Sequence, residues 1–293
     1  MAALVFPLPG NESLARAVAH NLGGDMGTLR IRRFPDGESY VRYETPLEGR
    51  RIILVSTLDR PDDKFLPLLF SAAAARDLGA TEVGLVAPYL AYMRQDRRFK
   101  PGEAITSAHF AQTLGRWIDW LVTVDPHLHR RSALSEIYPI PCATLHAAPA
   151  ISAWIRETVA KPVLVGPDSE SEQWVGAVAK DAGAPFVVLQ KTRRGDRDVE
   201  VSVPDVERWR DCTPVLVDDI ISTARTMIET AGHLNKVALA PPVCIGIHAV
   251  FADRAYADLQ AVGPQRIVTC NTIAHPSNAI DISPLIVSGI QSL

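Results

Sequence analysis

The sequence predicts an α/β protein made of two similar halves, each a mainly parallel sheet flanked by helices. Short apolar runs of strand length alternate with longer helix-patterned segments, the order that successive β-α-β units produce. The alternation occurs twice and is interrupted around residues 141–149, where Pro and Ala break the pattern. A length of 293 residues is long for one domain and comfortable for two. These observations predict a first domain over 1–145 and a second over 146–293.

In the first half, R-I-I-L-V-S at 51–56 reads as a strand and the Leu- and Ala-rich stretch 65–78 as a helix stopped by Gly79. A strand at 83–87, a helix at 108–118 and a strand at 121–124 follow. In the second half the pattern predicts strands at 163–165, 185–189 and 214–217, with helices at 172–182 and 226–235. Strands at 243–248 and 267–270 flank a short helix near 256–261. No short tandem repeat or low-complexity tract interrupts this order.

The composition narrows the function. With 47% hydrophobic and 22% charged residues the chain reads as an ordinary soluble globular protein. A net charge of −3 offers no basic excess, so nucleic acid is not an implied partner. No apolar segment is long enough to span a bilayer, and the apolar run at 2–9 is short and lacks a basic flank, so neither a membrane nor a signal peptide is expected. Cys142, Cys212, Cys244 and Cys270 lie far apart with no C-x-x-C spacing, which reads as reduced thiols in the cytoplasm.

Open parallel sheets bind ligands beyond the C-terminal ends of their strands, so polar clusters that follow apolar runs are the candidates. The most telling is V-L-V-D-D-I-I-S-T-A-R-T at 215–226. Asp218 and Asp219 fall where the strand surfaces, and 220–226 wrap the start of a helix, whose N–H groups and dipole favour a phosphate. Two carboxylates beside such a cup suit a phosphorylated pentose. A plainer alternative is a helix cap, with Ser222 or Thr223 as the N-cap and the acids favouring the dipole.

Other clusters carry similar alternatives. F-P-D-G-E at 34–38, with Phe34, Asp36 and Glu38, is a strong turn signal. R-Q-D at 94–96, with Arg94, Gln95 and Asp96, opens a basic run that could be a solvated loop. His127, in D-P-H after an apolar strand, is a sheet-edge residue or a capping or core histidine, and Asp168, in G-P-D, a site residue or an N-cap. Lys191 and Arg193 open the charged stretch K-T-R-R-G-D-R-D-V-E, a solvated hairpin tip on composition alone, with Gly195 as a pivot. H-P-S-N at 275–278 reads as a structured turn, and His248 as structural.

The 215–226 segment resembles the pentose-phosphate motif shared by phosphoribosyltransferases and ribose-phosphate pyrophosphokinases (PRPP synthases), which typically carry D-D followed by T-G-G-T. F-P-D-G-E, R-Q-D, D-P-H, G-P-D, K-T-R and the tail N-T-I-A-H-P-S-N resemble PRPP synthase motifs in the right order, across nearly the whole chain. The resemblance implies two phosphoribosyltransferase-like domains, an ATP side in 1–145, and the ribose 5-phosphate site with a catalytic loop in 146–293. It implies transfer of pyrophosphate from ATP to the C1 hydroxyl of ribose 5-phosphate, giving PRPP and AMP, with Mg2+ as cofactor.

Residue by residue, it implies Lys191 and Arg193 as catalytic, and His127 and Asp168 as metal-associated, with His127 also on the ATP phosphates. Arg94, Gln95 and Asp96 would serve ATP, as would Phe34, Asp36 and Glu38, supplied by a neighbouring subunit. That sharing implies a homo-oligomer, a dimer or a hexamer. Asp218, Asp219, Ser222, Thr223, Ala224, Arg225 and Thr226 would hold ribose 5-phosphate. The chain departs from the family at Ala224-Arg225, which replace Gly-Gly, and at Ser222, where an acid is usual. The alternative is a specialised or non-catalytic paralogue that regulates or assembles with an active synthase. A phosphoribosyltransferase is opposed by the two-domain length and the ATP-type motifs.

Overall fold

The computed structural model describes residues 3–128, 130–167, 171–194, 198–202, 204 and 206–293; the side chains of Gln173 and of 190–194 and 198–202 lie outside the description. The chain forms two compact units. The first comprises 1–146 with 272–274 and 282–293, and the second comprises 147–271 with 275–281. The last twelve residues therefore pack with the first unit rather than with the 146–293 domain expected from the sequence.

In the first unit β1 (Leu4–Pro7), β2 (Asp25–Met26), β5 (Arg51–Val55), β6 (Glu82–Val86), β7 (Trp120–Val124) and β8 (Cys142–Leu145) make a six-stranded sheet in the order β2-β1-β5-β6-β7-β8. Every pairing in it is parallel. β1 and β5 to β7 are apolar and buried almost throughout, as a sheet covered on both faces requires. An antiparallel hairpin, β3 (Leu29–Arg33) with β4 (Ser39–Tyr43), leaves the sheet after β2. Its Tyr43 hydroxyl donates to Ser71 O at 2.8 Å on α2 (Asp62–Asp77). Helices α1 (Glu12–Leu22), α3 (Thr106–Leu114) and α8 (Ser283–Gln291) complete the unit.

The second unit repeats this plan. β9 (Pro162–Gly166), β10 (Phe186–Val188), β13 (Thr213–Ile220), β14 (Val243–His248), β15 (Arg266–Cys270) and β16 (Asn278–Ile280) order as β10-β9-β13-β14-β15-β16, again all parallel. A hairpin of β11 (Gln190–Arg194) and β12 (Asp198–Ser202) stands after β10, where β3 and β4 stand after β2. Helices α4 (Ala148–Thr158), α5 (Glu172–Ala182), α6 (Arg225–Lys236) and α7 (Ala255–Ala261) belong to this unit. Each unit has its own apolar core, one around Phe6, Leu54, Leu85 and Leu121 and the other around Val165, Leu216, Met227 and Leu259.

Several expectations shift. The helix expected at 65–78 begins at Asp62 and carries Pro67 inside it. Pro67 has no N–H to offer the carbonyl four residues back; that carbonyl, Asp63 O, lies 3.4 Å from Arg33 Nη2 instead. The helix expected at 108–118 spans Thr106–Leu114. The 141–149 interruption contains β8 and the start of α4, with Pro149 in the first turn, where proline suits a helix. Among the described residues no helix is long and apolar enough to cross a membrane. None of the four cysteines forms a disulfide among the described residues, and Cys244 and Cys270 are buried.

Candidate active site

β13 stays in register with β14 to its end, pairing Asp218 with Gly246 and Ile220 with His248. It is buried from Pro214 through Val217 and half-buried from Asp218 to Ile220, so the acid pair stands where the strand leaves the core. Burial and the neighbouring Asp219 carboxylate raise the Asp218 carboxyl from 3.8 to about 7, because a second negative charge beside the first is costly in a partly dry site. Asp219 Oδ1 accepts from the Ile220 N–H at 2.8 Å.

The next residues form a short loop held by the segment after β14. Ile221 N–H donates to His248 O at 3.0 Å, Phe251 N–H to Ile221 O at 2.8 Å, and Ala252 N–H to Ser222 O at 3.0 Å. A Cβ on Gly246 would lie 2.5 Å from Ile221 Cδ1, so the buried Ile221 side chain can cross β14 only over a glycine. α6 then starts at Arg225 with Ala224 as its N-cap and no side-chain hydrogen bond capping it. The cap expected of Ser222 or Thr223 is therefore not made, and among the described residues no side chain accepts from the first N–H groups of α6.

Ala224 adopts the left-handed conformation, φ 57° and ψ 9°, that the family's glycine would adopt freely. Its methyl is buried in the second unit's core, which offsets strain on the order of 1–2 kcal/mol. Arg225 and Thr226 are exposed. A cation at the positive end of a helix is unfavourable unless an anion joins it. Asp218, Asp219, Ser222 to Thr226 and the uncapped α6 N-terminus thus form one contiguous cluster.

The hairpin reading of 191–200 holds for the backbone on either side of the tip, as β11 pairs antiparallel with β12. Lys191 pairs with Val201 and Arg193 with Val199, two residues apart on β11. Gly195 lies outside the described residues, as does Asp168.

In the first unit, F-P-D-G-E forms the tip of the β3–β4 hairpin. Phe34 N–H donates to Glu38 O at 2.8 Å, Gly37 N–H to Phe34 O at 2.9 Å, and Glu38 N–H to Asp36 Oδ1 at 3.2 Å. Phe34 remains 38% exposed, with Arg32 stacked over it at 4.5 Å and over Tyr40 at 4.3 Å. The turn and an available aromatic face therefore coexist.

Arg94 is exposed after β6. Gln95 Oε1 accepts from Thr106 Oγ1 at 3.2 Å. Asp96 accepts from Arg130 Nη1 at 3.0 and 3.3 Å, a contact the sequence reading missed. His127 is half-buried just beyond β7. Asp125, two residues before it, has φ 36° and lies 2.9 Å from His146 Nδ1.

Among the described residues no group of three or more His, Cys, Asp or Glu could hold a metal ion by itself. A small hard cation that keeps most of its shell in water and substrate phosphates needs only one or two protein ligands. Within the first unit, the half-buried His127 just beyond β7 is one such candidate ligand.

Three comparisons place these features. The N-terminal domain of ribose phosphate pyrophosphokinase matches residues 3–117, and the phosphoribosyl transferase domain matches 134–286. The ribose-phosphate pyrophosphokinase of Methanothermobacter thermautotrophicus is 32% identical, over 97% of this chain and 98% of that protein. The protein of that name from Sulfurisphaera tokodaii is 33% identical over 86% and 88%. The crystal structure of phosphoribosylpyrophosphate synthetase from Mycobacterium smegmatis superposes with a TM-score of 0.84, covering 100% of this chain and 98% of that one at 23% identity, a shared fold.

Proposed function

The chain belongs to the ribose-phosphate pyrophosphokinase family, with two phosphoribosyltransferase-type domains, and from that membership we propose how its residues perform the reaction. It is a pyrophosphoryl transferase that makes PRPP and AMP from ATP and ribose 5-phosphate. The C1 oxygen of the sugar bonds to the β-phosphorus of ATP, and the bond from that phosphorus to the oxygen bridging to the α-phosphorus breaks.

One observation carries the sugar site: an acid pair at the end of β13 beside a helix start that no side chain caps. The N–H groups of 224–226, the hydroxyls of Ser222, Thr223 and Thr226, and the Arg225 guanidinium hold the 5-phosphate. Asp218 and Asp219 accept from sugar hydroxyls. Arg94, Gln95, Asp96 and His127 serve ATP, and the exposed Phe34 face, with Asp36 and Glu38, receives adenine from a neighbouring copy in a homo-oligomer, a dimer or a hexamer. Lys191 and Arg193 occupy alternate positions on β11, and alternate strand positions share a face. Two cations there compensate the charge that builds on the transferred group.

Mg2+, as the family resemblance implies, would be held by His127 and Asp168 together with substrate phosphates, and when bound it would neutralise phosphate charge. Free, partly buried thiols accord with work in the cytoplasm.

The test is to incubate the protein with ATP, ribose 5-phosphate and Mg2+ and measure AMP. AMP that appears only with all three supports the assignment. No AMP across varied divalent ions and phosphate concentrations would point to the non-catalytic paralogue.

A further inference from the structure

The H-P-S-N segment has no part in the reaction described above, yet its contacts within the second unit lead to the sugar-phosphate loop. Asn278 Nδ2 donates to Thr269 Oγ1 at 2.9 Å, Thr269 Oγ1 lies 2.8 Å from Ser277 Oγ, and Ser277 Oγ lies 2.7 Å from His275 Nδ1. Ser277 N–H also donates to His275 Nδ1 at 3.2 Å. This directional chain makes Nδ1 an acceptor and fixes the ring orientation. Burial lowers the His275 pKa and keeps the ring neutral.

The ring rests on two aromatic residues. Its centroid is 4.6 Å from Phe251 and 4.7 Å from Tyr256, which are 5.0 Å apart. Phe251 has φ 35°, a conformation that a bulky side chain adopts only when its surroundings enforce it. Its amide and that of Ala252 are the donors to Ile221 O and Ser222 O. The strained residue therefore joins the aromatic stack to the loop that carries Ser222.

We infer that His275 is a positioning residue for the sugar-phosphate loop: wedged against Phe251 and Tyr256, it keeps the Phe251 backbone in the conformation that pins Ile221 and Ser222. This rests on the assignment of residues 218–226 as the ribose 5-phosphate site.

Steady-state kinetics of the full-length His275→Ala protein test it. The KM for ribose 5-phosphate should rise about tenfold, since small misplacements of a binding group are costly. The KM for ATP and kcat should stay within about twofold. An unchanged ribose 5-phosphate KM, or an equal impairment of all three constants (both KM values raised and kcat lowered together), would overturn the inference.

Hydrogen exchange without ligands gives a readout independent of turnover. Protection should fall at the Phe251 and Ala252 amides and persist at Val215–Val217; unchanged protection at 251 and 252 overturns the role. If His275→Ala does not fold, Ser277→Ala decides: losing the Ser277 Oγ contact to Nδ1, with only the Ser277 N–H left, should raise the sugar-phosphate KM about threefold, and no rise overturns the proposal. A wild-type protein that makes no AMP would count against the proposed function, while the exchange result would still decide the brace.

Discussion

The loop after β5 and the loop after β13 occupy the same place in two sheets of one topology, and their electrostatics differ. In the first unit the loop is satisfied from within. Asn11 Oδ1 accepts from Thr57 N–H at 2.9 Å, Lys64 Nζ donates to Thr57 O at 3.1 Å and pairs with Asp59, and α2 opens with Asp62 and Asp63 in its first turn. Arg33 closes on Asp63 at 2.9 Å. In the second unit the acids sit on the strand instead, the first turn of α6 holds none, and Arg225 stands at its positive end. One helix start brings its own counter-charge; the other needs an anion from outside. The two loops thus separate into one neutralised from within and one whose helix start leaves room for an anion.

The hairpins offer the harshest way to break this contrast. Lys191→Ala in β11 should lower turnover about 10²–10³-fold with the protein still folded, measured as AMP release alongside circular dichroism. A variant near wild-type rate would remove Lys191 from the chemistry.

Next come the carboxylates. Asp218→Asn or Asp219→Asn should cut kcat/KM for ribose 5-phosphate about 10–100-fold, the scale of a lost charged hydrogen bond. Asp59→Asn, beside the matching loop of the first unit, should leave it within about twofold; equal losses would erase the distinction between the copies. Arg225→Gly should weaken sugar-phosphate affinity about tenfold, read by calorimetry. Tighter binding would mean that the guanidinium obstructs the cup.

The acid pair also sets a pH dependence. Asp218 titrates near 7 when folded and near 3.8 otherwise, so folding takes up a proton between those values. Its stabilising contribution is complete below about 3.8 and is lost as pH rises through about 7. The ligand-free melting temperature should therefore fall from about pH 5 to about pH 8, and Asp218→Asn should flatten that slope whereas Asp59→Asn should not. The smallest effect is expected of Ala224→Gly. Relief of the left-handed strain and loss of a buried methyl, each about 1 kcal/mol, oppose each other, so the melting temperature should barely move.

The parts of the fold legible in the sequence are mostly central strands buried on both faces, though the equally buried β1 is too short to stand out. Runs such as R-I-I-L-V and P-V-L-V have no competing pattern, and the acids that end β13 stand out against it. The strands of the β3–β4 hairpin were not legible, although its turn was. L-R-I-R-R and S-Y-V-R-Y are short, charged ribbons with exposed or half-buried residues, so no apolar face announces them. α8, S-P-L-I-V-S-G-I-Q, is too short and too apolar for its period to separate helix from strand.

Within the site, the D-D pair and the loop residues could be read because they are contiguous. Asp96 with Arg130, and His275 with Phe251, could not, because spatial neighbours far apart in sequence leave no local pattern. The left-handed Ala224 could be anticipated only from where a glycine usually stands.

The packing of α8 bears on how the molecule is made. Its backbone lies so close to the first sheet that a Cβ on Gly289 would be 2.9 Å from Leu145 Cδ2 and 3.2 Å from Val122 Cγ1, and Asn21 Nδ2 donates to Ser283 Oγ at 3.2 Å. The half that emerges from the ribosome first is thus the half that is finished last. Until α8 is made, the part of β7 and β8 that it covers stays open, and a chain lacking α8 would be damaged in its first unit.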